Sequence, residues 1–157
     1  MQVKLSSAKK LLTKWQPALR LGDWDIRIGI VRRRWRKSGD IKIDDTDKKA
    51  ILLLNAKPLS ENLEETIVHE LLHLKLWGLD QMLEDLLNTA FGKDMSDPKR
   101  EFAYNQFMTL LEVTVEDLTK GYLAAAGRKN PLSFGRIRSK TISCSFQNEQ
   151  GKMINGR

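Results

Sequence analysis

Lys49-Ala-Ile-Leu-Leu-Leu-Asn55 is an unbroken apolar run, with Asp44-Asp-Thr-Asp47 before it and Pro58 after it. Its length suits a strand better than a helix, and apolar residues without alternation predict a strand buried on both faces. Residues 24–31, Trp-Asp-Ile-Arg-Ile-Gly-Ile-Val, alternate with period two and predict a half-buried strand. Ser38-Gly39-Asp40 reads as a turn and Ile41-Lys-Ile43 as a further short strand. Before the strands, residues 6–21 show helical apolar spacing at Leu11, Leu12, Trp15, Ala18 and Leu19, with Pro17 weakening the second half.

Beyond Pro58 the periodicity turns helical. Ser60 is a plausible N-cap, Glu61, Glu64 and Glu65 suit the positive end of a helix, and Gly78 predicts its stop after Trp77. A second helix is expected over 79–91, with Leu83, Leu86 and Leu87 as its apolar side. Asp97-Pro98 opens a third, carried by Phe102, Phe107, Leu111, Val115, Leu118 and Tyr122 to about Ala126. After Gly127 the pattern fades; Ile142, Cys144 and Phe146 alternate weakly, and the stretch reads as a loose tail. The expected fold is α+β. An N-terminal helix precedes a three-stranded, mostly antiparallel sheet, and a central helix, two further helices and the tail follow.

Charge is unevenly placed along the 157 residues. The net charge is +7, but residues 128–157 hold seven Lys/Arg against the single acid Glu149, leaving 20 basic and 19 acidic side chains on 1–127. Two units are therefore expected, a domain over 1–127 and a poorly ordered basic tail over 128–157. A second cluster stands at Arg32-Arg33-Arg34-Trp35-Arg36-Lys37. Basic clusters attract nucleic acid or acidic surfaces, although solvated charge is the commoner meaning. With 41% hydrophobic and 30% charged residues a largely disordered chain is excluded. The first ten residues lack the apolar segment of a secretory signal, and no run approaches the ~20 apolar residues of a membrane span. One cysteine excludes an intrachain disulfide. The expectation is a cytoplasmic protein.

His69-Glu70-Leu71-Leu72-His73 carries the chemistry. Residues i and i+4 share a helix face, so both imidazoles can reach one ion, while Glu70, rotated about 100°, can hold a water on that ion without being a ligand. The chain has only two histidines and nine glutamates. Shuffling would place both histidines around a glutamate in this order on the order of once in a thousand arrangements. Zinc accepts such ligands and brings the pKa of its water to about 7.

With no third histidine and Leu at position 79, the extended H-E-x-x-H-x-x-G-x-x-H pattern is excluded. Cys144 is the remaining soft donor, so a carboxylate from a later helix is the better third ligand. Glu101 and Glu112 compete, about three turns apart on one face. Glu112, deep in its helix and repelled by Glu116 one turn on, needs a partner more than Glu101 in a first turn, where an acid already complements the dipole.

The chain resembles the small gluzincin-type metallopeptidases, particularly short phage and bacterial zincin-like proteins, over roughly residues 5–125. The resemblance rests on Leu63-Glu-Glu-Thr-Ile-Val-His-Glu-Leu-Leu-His-Leu74, the strand Trp24-Asp-Ile-Arg-Ile28 and Leu111-Glu-Val-Thr-Val-Glu-Asp-Leu118. It implies a peptidase with His69, His73 and Glu112 as zinc ligands, Glu70 as general base and acid, and a peptide or protein substrate held along a strand edge at 41–43 or 49–55. It also implies a bacterial or phage-infected cytoplasm. Glu101-Phe-Ala-Tyr-Asn-Gln-Phe107 is similar to the third-ligand segment of the ImmA/IrrE-like gluzincins, which keeps Glu101 open. The SprT-like proteases use a third histidine that is absent here. Tyr104 and Tyr122 are assigned to the core, leaving the oxyanion stabiliser unnamed. The competing expectation is a nucleic-acid- or phage-associated protein with a structural metal and a binding tail.

Overall fold

A computed structural model describes residues 2–58 and 62–128, together with the pairs 146–147 and 153–154. The chain divides into two compact units, Met1–Gly127 and Arg128–Arg157. In the first, helix α1 (Leu5–Ala18) leads into β1 (Asp25–Val31), β2 (Gly39–Asp44) and β3 (Lys49–Asn55), followed by α2 (Leu63–Phe91) and α3 (Pro98–Ala125). In the second, β4 (Phe146–Gln147) pairs antiparallel with β5 (Met153–Ile154). Ile142 and Cys144 lie outside the described residues, as does most of the stretch expected to be a loose tail.

The fold is α+β, but its sheet differs from the expectation. The strand order is β1-β3-β2, with β1 parallel and β2 antiparallel to β3, so the sheet is mixed rather than mostly antiparallel. The apolar run is the central strand. It is buried on one face only. Ala50, Leu52 and Leu54 are almost wholly enclosed, whereas Ile51 on the opposite face is 48% exposed. The helices cover one side, and the apolar set Ile26, Ile28, Ile41 and Ile43 packs there with Ile67, Val68, Leu71 and Leu72 of α2. The run lacks alternation because Leu53 lies over Gly29, where an added Cβ would come within 2.9 Å of Leu53 Cδ2.

Because β3 sits between β1 and β2, the chain after β1 must cross the end of β3 to reach the far edge. Asn55, the last residue of β3 and only 5% exposed, satisfies that crossing. Its Nδ2 donates to the carbonyls of Trp35 (3.0 Å) and Lys37 (2.9 Å), and its backbone N–H to that of Ser38 (2.9 Å). A buried amide is an economical solution, since unbonded carbonyls over a strand end would be costly. Ser38 and Gly39, read from sequence as a turn, are instead the entry into β2.

Helix α1 retains Pro17 in its last turn. It is tied to α2 by Glu64, 3% exposed, which accepts from Trp15 Nε1 at 2.7 Å and Lys14 Nζ at 2.9 Å. Asn62 rather than Ser60 caps α2, accepting from the Glu65 N–H and donating to the Glu65 carboxylate; Ser60 lies outside the described residues. Helix α2 does not stop at Gly78. It runs 29 residues to Phe91, so one helix stands where two were expected, and a single helix, α3, follows. A lone glycine costs a helix too little to end it when both flanks pack. Here Leu74 and Leu87 are buried on either side, and α3 lies along α2. Asp97 caps α3 by accepting from the Lys99 and Arg100 N–H groups, with Pro98 in the first turn. No helix among the described residues is long and apolar enough to cross a membrane.

An added Cβ at Gly78 meets nothing within 4 Å, and the helix around it is regular. Gly78→Ala should therefore stabilise the protein by about 0.5–1 kcal/mol. A rise in Tm by calorimetry checks this, and a fall would mean that α2 is interrupted at this position.

Candidate metal centre

Burial of Ile67, Val68, Leu71, Leu72 and Leu74 against the sheet and α1 fixes the rotation of α2. That leaves His69 and His73 on the flank toward α3. Their rings lie 4.9 Å apart between centroids at an interplanar angle of 66°, with the two Nε2 atoms 3.2 Å apart. Two imidazole lone pairs at that distance repel unless a proton or a cation lies between them. Burial lowers the pKa of both rings, which favours the neutral form that binds metal.

Helix α3 brings the third donor. Glu112 Oε2 is 3.6 Å from His69 Nε2, and Oε1 is 3.4 Å from His73 Nε2. The three residues each offer a ligand atom within 4.8 Å of the others, a group that could hold a metal ion. Glu101, exposed in the first turn of α3, is not part of that group. Cys144 lies outside the described residues. Tyr104 and Tyr122, assigned to the core from their spacing, are both more than a third exposed; α3 is enclosed instead through Arg100, Leu111, Val115, Thr119 and Leu123.

Glu70, about 100° round the helix from His69, faces β2. Gly39, the first residue of β2, comes so close that an added Cβ would lie 2.8 Å from Glu70 Oε1 and 2.8 Å from Thr66 Cγ2. Only glycine permits this approach of strand backbone to carboxylate. Glu70 makes no hydrogen bond or ion pair among the described residues. Burial, reinforced by the charge of Asp40, pushes its carboxyl up to about 7.

Sequence reasoning treated Glu116 only as a charge repelling Glu112. In the structure its Oε2 lies 3.8 Å from His69 Nδ1, the ring nitrogen turned away from the shared donor cluster. A carboxylate there favours the tautomer with its proton on Nδ1, leaving Nε2 free to ligate. Lys120 holds Glu116 at 2.9 Å, which offsets the repulsion from Glu112. The i, i+4, i+8 spacing of Glu112, Glu116 and Lys120 was the available signal.

No protein-family model, no curated protein and no solved structure matches this chain. The chemistry of the centre therefore has to be read from its own atoms.

The raised pKa of Glu70 makes a linkage prediction for the metal-free protein. The carboxyl is harder to ionise in the fold than in the unfolded chain, so its contribution is fully present below about pH 4.5 and is lost as pH rises to about 7. Glu70→Gln has no such loss. Between those limits metal-free wild type should lose roughly 3 kcal/mol relative to the variant. Urea titrations in chelator at both ends of the range measure it, and parallel pH profiles would contradict it.

Proposed function

We propose that the chain is a zinc-dependent metallopeptidase of gluzincin type, with His69, His73 and Glu112 holding the ion and Glu70 acting as general base and then general acid. The observation that carries this reading is the spacing of the donor atoms. A tetrahedral ion bonded at about 2.0–2.1 Å keeps its ligand atoms about 3.3–3.4 Å apart. Here the two Nε2 atoms stand 3.2 Å apart; Glu112 approaches them with different oxygens, Oε2 at 3.6 Å from His69 and Oε1 at 3.4 Å from His73, and one ligand atom from each residue brings all three within 4.8 Å. Three donors are found among the described residues, and a set of three would leave a fourth position open, as a hydrolytic site requires and a closed structural site does not.

Bound zinc would supply an electrophile for the scissile carbonyl and acidify a water to a pKa near 7. Glu70 then has a defined task. Its carboxylate, outside the donor cluster, would accept a proton from the attacking water and return it to the leaving amine. A carboxyl poised near neutrality suits both halves of this exchange. Glu116 holds His69 in its ligating orientation. The backbone of β2 is the sheet edge nearest Glu70, and its outer rim has no strand partner among the described residues. An extended substrate pairing there would pass beside Glu70. Of the two edges considered from sequence, 41–43 remains, because 49–55 is the sheet's centre.

Purified protein should bind zinc at one equivalent by metal analysis. Glu70→Gln should keep the zinc and lose at least about 10²-fold in peptide cleavage. Glu112→Gln should release the ion, whereas Glu101→Gln should retain it. Glu116→Gln should weaken zinc binding about 10–100-fold in a competition titration. Cleavage undiminished in Glu70→Gln would remove that residue from the mechanism, and zinc retained by Glu112→Gln but lost by Glu101→Gln would exchange their roles.

A further inference from the structure

The cluster Arg32-Arg33-Arg34-Trp35-Arg36-Lys37 forms the crossing between β1 and β2, and the hydrolytic chemistry gives it no task. Its path is fixed. The buried amide of Asn55 bonds the carbonyls of Trp35 and Lys37, and the next residues deliver the chain to Gly39 against Glu70. Lys37 and Lys42 are both engaged by Asp40, at 3.1 and 2.7 Å. The charge of Lys37 nevertheless reaches Glu70 and His73, so this end of β2 lies close to the centre.

Arg32, Arg33, Arg34 and Arg36 are different. All four are exposed, and none makes an ion pair among the described residues. A floppy loop would let four like charges spread apart. Here a buried side chain anchors the loop that carries them at the head of an open strand edge, next to the groups that would act on a bound chain. Guanidinium groups match carboxylates in a two-pronged geometry that lysine cannot reproduce.

Building on the peptidase reading, we propose that this arginine loop selects an acidic polypeptide: an extended segment pairs with the edge of β2 while an Asp/Glu-rich flank lies on Arg32, Arg33, Arg34 and Arg36. A peptide offers both things that this surface matches, backbone groups for the strand edge and carboxylates for the loop. A nucleic acid fits less well. Its charge is continuous, and it would carry phosphates past Asp40, Glu112 and Glu116, whereas a peptide can confine its acids to one flank.

The test uses the full chain, zinc-loaded and carrying Glu70→Gln so that binding is read without cleavage. Fluorescence anisotropy compares three labelled probes: a peptide with an apolar centre and a glutamate flank, its twin with a glutamine flank, and oligodeoxythymidylate. The acidic peptide should bind about tenfold tighter than its twin at low salt. Adding R32Q/R33Q/R34Q/R36Q should abolish that preference. Adding K4Q/K9Q/K10Q/K93Q, which removes the same charge from exposed positions elsewhere, should leave it intact. Equal affinity for the two peptides, or equal loss in both charge-removal variants, would overturn the proposal. So would oligodeoxythymidylate binding more tightly than the acidic peptide through the same arginines. Failure of zinc-loaded wild type to cleave either peptide, with the binding preference intact, would instead overturn the peptidase reading and leave the loop's selectivity standing.

Discussion

The close approach of β2 to α2 at Gly39 is the contact on which the centre depends. A strand backbone rarely comes within van der Waals reach of a carboxylate, because a side chain usually stands between. Its absence at Gly39 seats Glu70 between helix and sheet edge, out of much of the solvent, and so raises its proton affinity. The charges of Lys37 and Asp40, at the start of β2, reach His73 as well. Packing of Ile67, Val68, Leu71 and Leu72 holds the helix in that rotation, and the tie from Trp15 and Lys14 to Glu64 braces its first turn.

Helix α3 completes the arrangement from the other side. Glu112 and Glu116 stand one turn apart and meet different atoms, Glu112 the Nε2 pair and Glu116 the outer nitrogen of His69. Two carboxylates so placed would repel if nothing positive lay near. Lys120 supplies one counter-charge, and a cation between the imidazoles and Glu112 would supply the other. Imidazole nitrogens 3.2 Å apart can share a proton or a cation, and together with Glu112 they form a group that could hold a metal ion.

Much of this was legible in the sequence, for identifiable reasons. The spacing of His69 and His73 is a property of any α-helix, so their convergence needed no tertiary information. Strand β3 could be bounded because turn-formers flank it, and α3 because Asp97-Pro98 is an unambiguous start. Tertiary contacts decided the rest. Gly78 carries a propensity cost that packing overrides. The order β1-β3-β2 depends on a crossing that local patterning does not encode, and with it the choice of edge strand. Glu112 and Glu101 lie on one face of one helix, and only their distance along it from the histidines separates them. Glu116 looked like a liability until its partner on α2 was in view.

The crossing at the end of β3 also divides the centre by distance along the chain. Strands β2 and β3 are joined by four residues, 45–48, and form a local hairpin. Strand β1 pairs with β3 in a register that sets Asp25 opposite Lys49, and loop closure of that size is entropically slower to achieve. Gly39, Glu70 and both histidines all fall within the continuous stretch from the hairpin to the first half of α2, whereas Glu112 arrives from far downstream. Two of the three donors, and Glu70 beside them, thus come from one contiguous piece of chain, and only Glu112 is brought in by the last helix.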